Sequence, residues 1–207
     1  MRGYPAEAMF CPVRRQTVEE RRTEILETTC RVVIERGFAG TRVADVAQRL
    51  GVSTSLIHYH FDSKESLLAE AFAMYARTAL QEFEEYVAEA PTPREQLDRA
   101  IEDFVPEGSD DLEWMLWIDA WGEALRNPLM RRISQELDAR NVAIVEDILR
   151  RGNDCGQFAC SDPRRSAMRL IGLIDGLAVQ FAAHDGVLTR DELLETVRAL
   201  AGSEILR

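Results

Sequence analysis

Residues 41–65, TRVADVAQRLGVSTSLIHYHFDSKE, decide the fold of the front part of this chain. Apolar residues recur there at intervals of three and four, which places them on one face of a short helix: Val43, Val46, Ala47 and Leu50. Thr41 precedes this helix, where a hydroxyl can cap a free backbone N–H. Gly51 follows it, at the usual place for a left-handed residue. The pattern predicts a short helix that ends in a tight turn.

A second short helix is predicted after the turn. Ser53 can cap it, and Ile57 and Phe61 share its inward face one turn apart. The outward side chains are hydroxyls, imidazoles, an aromatic and one leucine, with no acid: Thr54, Ser55, Leu56, His58, Tyr59 and His60. A helix of this kind in the major groove offers donors and acceptors to base edges and phosphates. The pair therefore indicates a DNA-reading helix-turn-helix, although similar pairs also occur in proteins that never touch DNA.

The residues around the two helices extend the candidate DNA-binding set. Thr41, Arg42 and Ser53 border the helices, and Lys64 begins a long fourth helix that Ser63 can cap. Lys64 is the only lysine of the chain. We expect it to reach a phosphate, since the free N–H groups of a helix N-terminus add partial positive charge.

The charge is divided unevenly along the 207 residues. The net charge is −11, but residues 1–64 hold ten Arg or Lys and eight acids, which gives +2. Residues 65–207 hold fifteen and twenty-eight, which gives −13. A local positive face is enough for phosphate contacts, because charges beyond about 10 Å are largely screened at ordinary salt. We therefore expect a weakly basic DNA-reading part and an acidic body.

Helical periodicity continues through the rest of the chain and predicts an all-α protein. A capping box at Thr17 opens the first helix, and Gly37 ends it. Pro91 and Pro93 follow the fourth helix, and five more helices are predicted over 94–105, 110–126, 128–151, 163–184 and 189–201. The predicted organisation is a disordered tail, a three-helix DNA-binding domain and a larger helical-bundle domain for effector binding and dimerisation: residues 1–16, 17–78 and 79–207.

The front motif resembles the TetR family of bacterial regulators. The resemblance covers about residues 18–78 and rests on the order and spacing of Thr41, Val46-Ala47, Gly51-Val52-Ser53, Tyr59-His60-Phe61, Ser63-Lys64-Glu65 and Leu67-Leu68. It implies an all-helical homodimer that binds palindromic operator DNA and is released by a small-molecule effector. The chain differs from the family at two positions. His58 stands where many members have a phosphate-binding Tyr, and Leu56 where a small polar residue is common.

All three tryptophans share one helical stripe, at Trp114, Trp117 and Trp121. The stripe fits either a large aromatic core or the wall of a ligand pocket, since drug-sized sites are mostly aromatic with a few polar groups. Asp119 lies on the same predicted helix, and Asp175 interrupts an apolar one. Carboxylates beside indole faces suit a cationic ligand, although Asp175 can instead be paired across the bundle. The stretch from Trp114 to Arg132 is similar to the effector domain of choline-responsive family members, so we expect a hydrophobic or cationic effector.

Residues 168–183, MRLIGLIDGLAVQFAA, are apolar on nearly all sides, with Gly172 and Gly176 four apart. A helix that is apolar all round needs packing partners all round. It can be the centre of a monomer core, or half of a dimer interface together with a stripe on the last helix: Leu193, Leu194, Val197 and Leu200. We favour the dimer, which the family resemblance also implies.

The remaining sequence features are largely negative. Four cysteines show neither a CxxC motif nor ligand spacing with the histidines, so we expect no metal and no cofactor. No apolar run approaches membrane-spanning length, residues 170–183 coming closest, and residues 1–16 lack the apolar region of a signal peptide. We therefore predict a cytoplasmic protein without a membrane partner.

Three functions were compared on these residues. The favoured one is a dimeric, effector-responsive transcriptional repressor. A helical-bundle enzyme is disfavoured, because the chain has no Glu-x-x-His pair for a di-metal centre and no Gly-x-Ser-x-Gly motif. The third is a helical interaction module that has lost DNA binding, supported by the small positive charge and by His58.

Overall fold

The computed structural model describes residues 17–205, which form nine α-helices and no β-strand. The predicted disordered tail, residues 1–16, lies outside the described residues. The helices are α1 Val18–Gly40, α2 Val43–Leu50, α3 Thr54–His60, α4 Lys64–Ala88, α5 Pro93–Phe104, α6 Leu112–Ala124, α7 Pro128–Asp154, α8 Pro163–Ala183 and α9 Arg190–Glu204. The all-α prediction is confirmed.

The first three helices surround a small core that α4 completes. Ile25 of α1, Val46 of α2 and Ile57 of α3 are buried together against the start of α4. The local signals behave as predicted. The capping box at Thr17 is formed, Gly51 is left-handed with φ 68°, and the Ser53 hydroxyl accepts the Leu56 N–H. These elements hold α3 on the surface of the domain.

The turn between α1 and α2 differs from the prediction at Thr41. Gly37 breaks α1 with φ 71°, and the Thr41 hydroxyl donates to the freed Gly37 carbonyl oxygen at 2.7 Å. Thr41 is only 1% exposed, and Arg42 is the N-cap residue of α2. Its backbone N–H donates to the Asp45 carboxylate at 3.0 Å. Thr41 as a helix cap is therefore wrong, and its buried hydroxyl closes α1 instead of facing DNA.

The larger bundle contains α5–α9 and the second half of α4. The main apolar core lies between the end of α4 and helices α5, α7, α8 and α9. A second core joins α4, α6 and α7 to the end of α1, with Phe38 and Phe72 at its centre. Because α4 runs unbroken through both parts of the chain and α6 packs on α1, the two parts share a continuous apolar contact.

The last two helices correct the predicted dimer stripe. Leu193, Leu194 and Val197 of α9 are buried in the core of their own chain, and Leu200 packs against that core. A stripe on α9 does not reveal from sequence whether it faces its own core or a partner. The residues left outward lie on α8, where Met168, Gly172 and Gly176 are exposed.

Within residues 17–205, α8 is the helix that is long and apolar enough to cross a membrane by length and composition. It is longer than the run 170–183 that the sequence indicated, because the helix begins at Pro163. It contacts α7 and α9 along its length and carries Asp175 in its middle. Both features are typical of a helix in a soluble bundle.

Candidate DNA-binding surface and ligand cavity

Helix α3 presents most of its predicted DNA-reading residues to solvent. Thr54, Ser55 and His58 are exposed, and Tyr59 is 75% exposed. Leu56 and His60 are half-buried, and the His60 ring meets the Tyr59 ring edge-to-face with centroids 5.2 Å apart. Because Ile57 and Phe61 anchor the opposite face, this surface stands out from the domain as a short polar ridge.

Most arginines of the front domain are neutralised within it. Three of them form ion pairs with acids of the same domain or of α4: Arg22 with Glu70, Arg36 with Asp45, and Arg49 with Glu35. Arg42 and Lys64 have no carboxylate partner in the described residues 17–205. They lie at the N-terminal ends of α2 and α4, before and after α3 in the chain. The two cations that remain for phosphates therefore flank the polar ridge of α3.

A cavity of about 290 Å³ lies in the larger bundle, between α4, α5, α6, α7 and α8. Trp114, Trp117 and Trp121 all line it, and all three are half-buried. The ring centroids of Trp114 and Trp121 are 6.2 Å apart, and those of Trp117 and Trp121 are 6.0 Å apart. The indoles thus form one continuous aromatic wall, and Trp117 also packs on the core at Phe72. Pocket wall and core stripe, the two interpretations of the sequence, are here the same residues.

Asp175 lines this cavity, but no base pairs with it among residues 17–205. Its nearest charged neighbour is another acid, Asp138 of α7. Burial, together with repulsion from Asp138, raises the pKa of Asp175 to about 7. Burial also raises the pKa of Asp138, which hydrogen-bonding contacts from Ser134 and Trp121 partly offset.

Sequence reasoning missed three acids and an amide that line the same cavity: Asp103, Glu113, Asp138 and Asn141. They lie on α5, α6 and α7, where an acid on a mostly polar helix looks like part of a solvated face. Burial raises the pKa of Asp103 and of Glu113, and the charge of Asp103 adds to the rise at Glu113. Only Glu113, directly before Trp114, had a local signal that might have been used.

Asp119 does not line the cavity, which corrects its assignment as a ligand-binding residue. It lies on another side of α6 from the cavity and accepts the backbone N–H of Phe38 at 2.6 Å. This N–H is free because Gly37 interrupts α1 just before it. A Cβ at Gly37 would lie 2.9 Å from the Asp119 carboxylate, so glycine also permits the close approach. Asp119 therefore ties the tryptophan helix to the DNA-reading domain.

Aromatic rings continue this connection from the cavity toward α1. Trp117 meets Phe72 of α4 edge-to-face with centroids 5.1 Å apart, and Phe72 meets Phe38 of α1 in the same way at 6.1 Å. Such pairs contribute about 0.5–1.5 kcal/mol beyond their burial. A shift of Trp117 is thus transmitted to α1 and α4 through close-packed groups, because the interior cannot absorb it as empty space.

A surface helix-turn-helix joined by packed aromatics to an enclosed cavity defines a class of protein, the DNA-binding regulators that also carry a ligand cavity. No group of His, Cys, Asp and Glu within 17–205 has the arrangement of a metal site.

Comparison with known proteins gives the family. Residues 25–71 match "Bacterial regulatory proteins, tetR family", and residues 93–206 match "BetI-type transcriptional repressor, C-terminal". The chain belongs to the TetR family of DNA-binding transcriptional regulators and has a C-terminal domain of the BetI type. It is 30% identical over 182 residues to the HTH-type transcriptional regulator BetI of Burkholderia thailandensis, covering 81% of this chain and 85% of that protein.

Solved structures agree with this assignment. A transcriptional regulator from Saccharomonospora viridis, crystallised in complex with choline, is similar with a TM-score of 0.82 and 30% identity, over 91% of this chain and 99% of that one. A TetR-family regulator from Rhodococcus sp. has a TM-score of 0.74 at 22% identity, over 90% and 98%. The second likeness shows the fold. These relatives are named as transcriptional regulators and not as enzymes.

Proposed function

We propose that this protein is a homodimeric repressor that binds a palindromic operator and is released by a small organic cation of the choline type. The observation that carries the proposal is the cavity. It has an aromatic wall of three indoles and four acids without a basic partner in the described chain: Asp103, Glu113, Asp138 and Asp175.

The chemistry of the cavity favours a cation over other small ligands. A cation over an indole face gains about 2 kcal/mol or more when both are desolvated. A quaternary ammonium has no N–H to donate, so aromatic faces and nearby carboxylates are the groups that can replace its water. The similarity to the choline-bound Saccharomonospora viridis regulator supports the same ligand class here.

The proposed DNA contacts are the exposed residues of α3 with two flanking cations. Thr54, Ser55, Leu56, His58, Tyr59 and His60 would face base edges and phosphates, while Arg42 and Lys64 would bind phosphates. The hydroxyl of Ser53 already caps α3, so we assign Ser53 a positioning role with only its exposed edge near DNA. Operator sequence and repression by this chain follow from the proposal and are open to test.

The proposed dimer forms through the outward side of α8. Gly172 and Gly176 are exposed there, and a Cβ on either would meet no atom of its own chain within 4 Å. Glycine inside a helix costs about 1 kcal/mol relative to alanine. That cost is offset when a second helix packs closely against the glycines. A two-fold axis at this face would present two α3 ridges to successive half-sites.

Effector and DNA binding are coupled, in this proposal, through α6 and α4. A cation that displaces Trp117 moves Phe72 on α4 and Phe38 on α1, and it changes the hydrogen bond between Asp119 and the Phe38 N–H. Release of the operator requires that the cation bind the DNA-free arrangement more tightly than the DNA-bound one. The division into domains at 17–78 and 79–207 remains a prediction, and α4 crosses that boundary as an intact helix.

The test is fluorescence-anisotropy binding to DNA from upstream of the chain's own gene, at two salt concentrations, with and without choline. We expect salt-sensitive binding that protects a palindrome and that choline weakens. Binding no tighter than to random DNA, followed by failure of a selection from random sequences, would favour the alternative, a helical module that has lost DNA binding. Operator binding that no organic cation weakens would refute the effector class alone.

A further inference from the structure

The four unpaired acids of the cavity are arranged as two pairs. Asp103 of α5 and Glu113 of α6 form one pair, in which the charge of Asp103 raises the pKa of Glu113. Asp138 of α7 and Asp175 of α8 form the other, in which Asp138 acts on Asp175 in the same way. The cavity therefore has two separate centres of negative charge.

The aromatic wall joins the two pairs. Glu113 has a hydrogen-bonding contact with Trp117, and Asp138 has one with Trp121. These two indoles are neighbours in the wall, with centroids 6.0 Å apart. Each acid pair is thus associated with a different indole, and the cavity between them is continuous.

Basic residues neutralise the other acids near the mouth of the cavity. Glu102 pairs with Arg198 at 2.7 Å, and Glu107 pairs with Arg190 at 3.1 Å. Asp111, the remaining lining acid, caps the start of α6 through the Glu113 and Trp114 N–H groups. No Lys, Arg or His of residues 17–205 lines the cavity. The two pairs are the part of its charge that only a ligand can compensate.

Two acids held close together in a buried site do not both ionise readily, because desolvation and mutual repulsion favour one shared proton. One positive charge between a pair removes the repulsion and replaces that proton. A ligand with a single charge can do this for one pair and leaves the other unchanged. A ligand with two charges can do it for both.

We propose that the effector of this regulator is a dication, with two ammonium centres joined by a short aliphatic chain, as in diamines and polyamines. Its ammonium centres would lie at the pair Asp103–Glu113 and at the pair Asp138–Asp175, with the linking chain against the indole wall. This inference rests on the proposed function, and it specifies the number of charges on the organic cation.

Isothermal titration calorimetry of the full chain with putrescine, n-butylamine and choline tests the proposal. Putrescine and n-butylamine have the same carbon chain and differ by one ammonium group. A hydrogen bond to a charged group contributes about 1.5–3 kcal/mol net, so we expect putrescine to bind at least about tenfold more tightly. Glu113→Gln and Asp138→Asn should each remove most of that difference.

Glu136→Gln is the matched control, because Glu136 lies on α7 near Asp138 but pairs with Arg77 outside the cavity. It should leave the preference for putrescine unchanged. Equal affinities for putrescine and n-butylamine, with choline binding retained, would overturn the dication and leave the proposed function standing. Binding of none of the three would overturn both.

A second measurement uses the unmodified protein. If putrescine replaces shared protons at the acid pairs, its binding near neutral pH releases protons, and the observed heat depends on the ionisation enthalpy of the buffer. The groups that face Asp175 in the cavity are acids from the other helices, Asp138, Asp103 and Glu113, and no base. Equal heats in phosphate and Tris buffers would contradict the proposal.

Discussion

Replacing Asp175 by Asn should remove a pH-dependent loss of stability from the ligand-free protein. Burial and the neighbouring Asp138 raise the pKa of Asp175 to about 7, from 3.8. Between these two values the folded chain keeps a proton that the unfolded chain releases. The unfolded chain then binds fewer protons, so the free energy of unfolding falls as the pH rises through this window and levels off above pH 7.

The magnitude follows from the size of the pKa shift. Each pKa unit corresponds to about 1.4 kcal/mol, so a shift of about 3 units corresponds to about 4 kcal/mol over the whole window. Between about pH 5.5 and about pH 8.5 roughly half of the window is crossed, which gives a loss of about 2 kcal/mol. Asp175→Asn has no proton to lose there, so it should be more stable than the parent at the higher pH.

Urea unfolding at these two pH values, at one protein concentration and without organic cations, measures the effect. The concentration is held constant because a dimer is stabilised by mass action. The other buried acids of the cavity titrate in both proteins, so the informative quantity is the difference between parent and variant. Glu136→Gln, an exposed change on α7, is the control. If Asp175→Asn and the parent lose the same stability between the two pH values, the argument from burial is refuted.

Three further predictions concern other parts of the fold. Gly152→Ala should lower the free energy of unfolding by about 2 kcal/mol, because the added Cβ would lie 1.9 Å from the buried Phe158 ring and overpacking outweighs the gain in helix propensity. Urea unfolding measures it. Asp119→Ala should leave cation affinity unchanged but reduce the effect of the cation on operator binding, because it removes the hydrogen bond to Phe38; anisotropy titrations with and without the cation measure both. Lys64→Ala should weaken binding to every DNA sequence and lower the slope of log affinity against log salt by about one unit, since one phosphate contact is lost.

Each of these has a control and a contrary result. Gly202→Ala lies on an exposed turn of α9 with no atom within 4 Å of the new Cβ, and it should not destabilise the chain. If Gly152→Ala is equally harmless, the Phe158 contact is not close-packed. Full cation response in Asp119→Ala would exclude this hydrogen bond from the coupling. An unchanged salt slope in Lys64→Ala would remove Lys64 from the phosphate contacts, for which Arg42→Ala is the parallel test.

The parts of the fold that were predictable from the sequence depend on local interactions. The capping box at Thr17 and the turn at Gly51-Val52-Ser53 form as predicted because each needs only residues within four positions of itself. The spacing of the tryptophans likewise indicated one shared face. These features follow from backbone geometry that a short peptide already contains.

The features that were not predictable depend on which helices meet. Asp119 shares its helix with the tryptophans, but only the packing of α6 on α1 directs its carboxylate to the Phe38 N–H. Asp138 and Asp175 are 37 positions apart in the chain, and their pairing across two helices leaves no periodic signal. Leu193 and Leu194 of α9 form an apolar stripe in either case, whether it faces its own core or a partner. Burial in the folded chain was needed to assign each of them.

The single lysine has a practical consequence for experiments on this protein. Apart from the amino terminus, Lys64 is the only amine among the 207 residues, and it lies at the start of α4 beside the surface proposed to read DNA. An amine-directed dye or crosslinker will therefore report on one position of the body, with no mutagenesis required. Protection of that amine by operator DNA, and its return when an effector is added, would follow both binding steps in one unmodified molecule. Enzymatic acetylation at the same amine would remove one of two unpaired cations at a stroke, so the chain exposes its DNA affinity to a single covalent event.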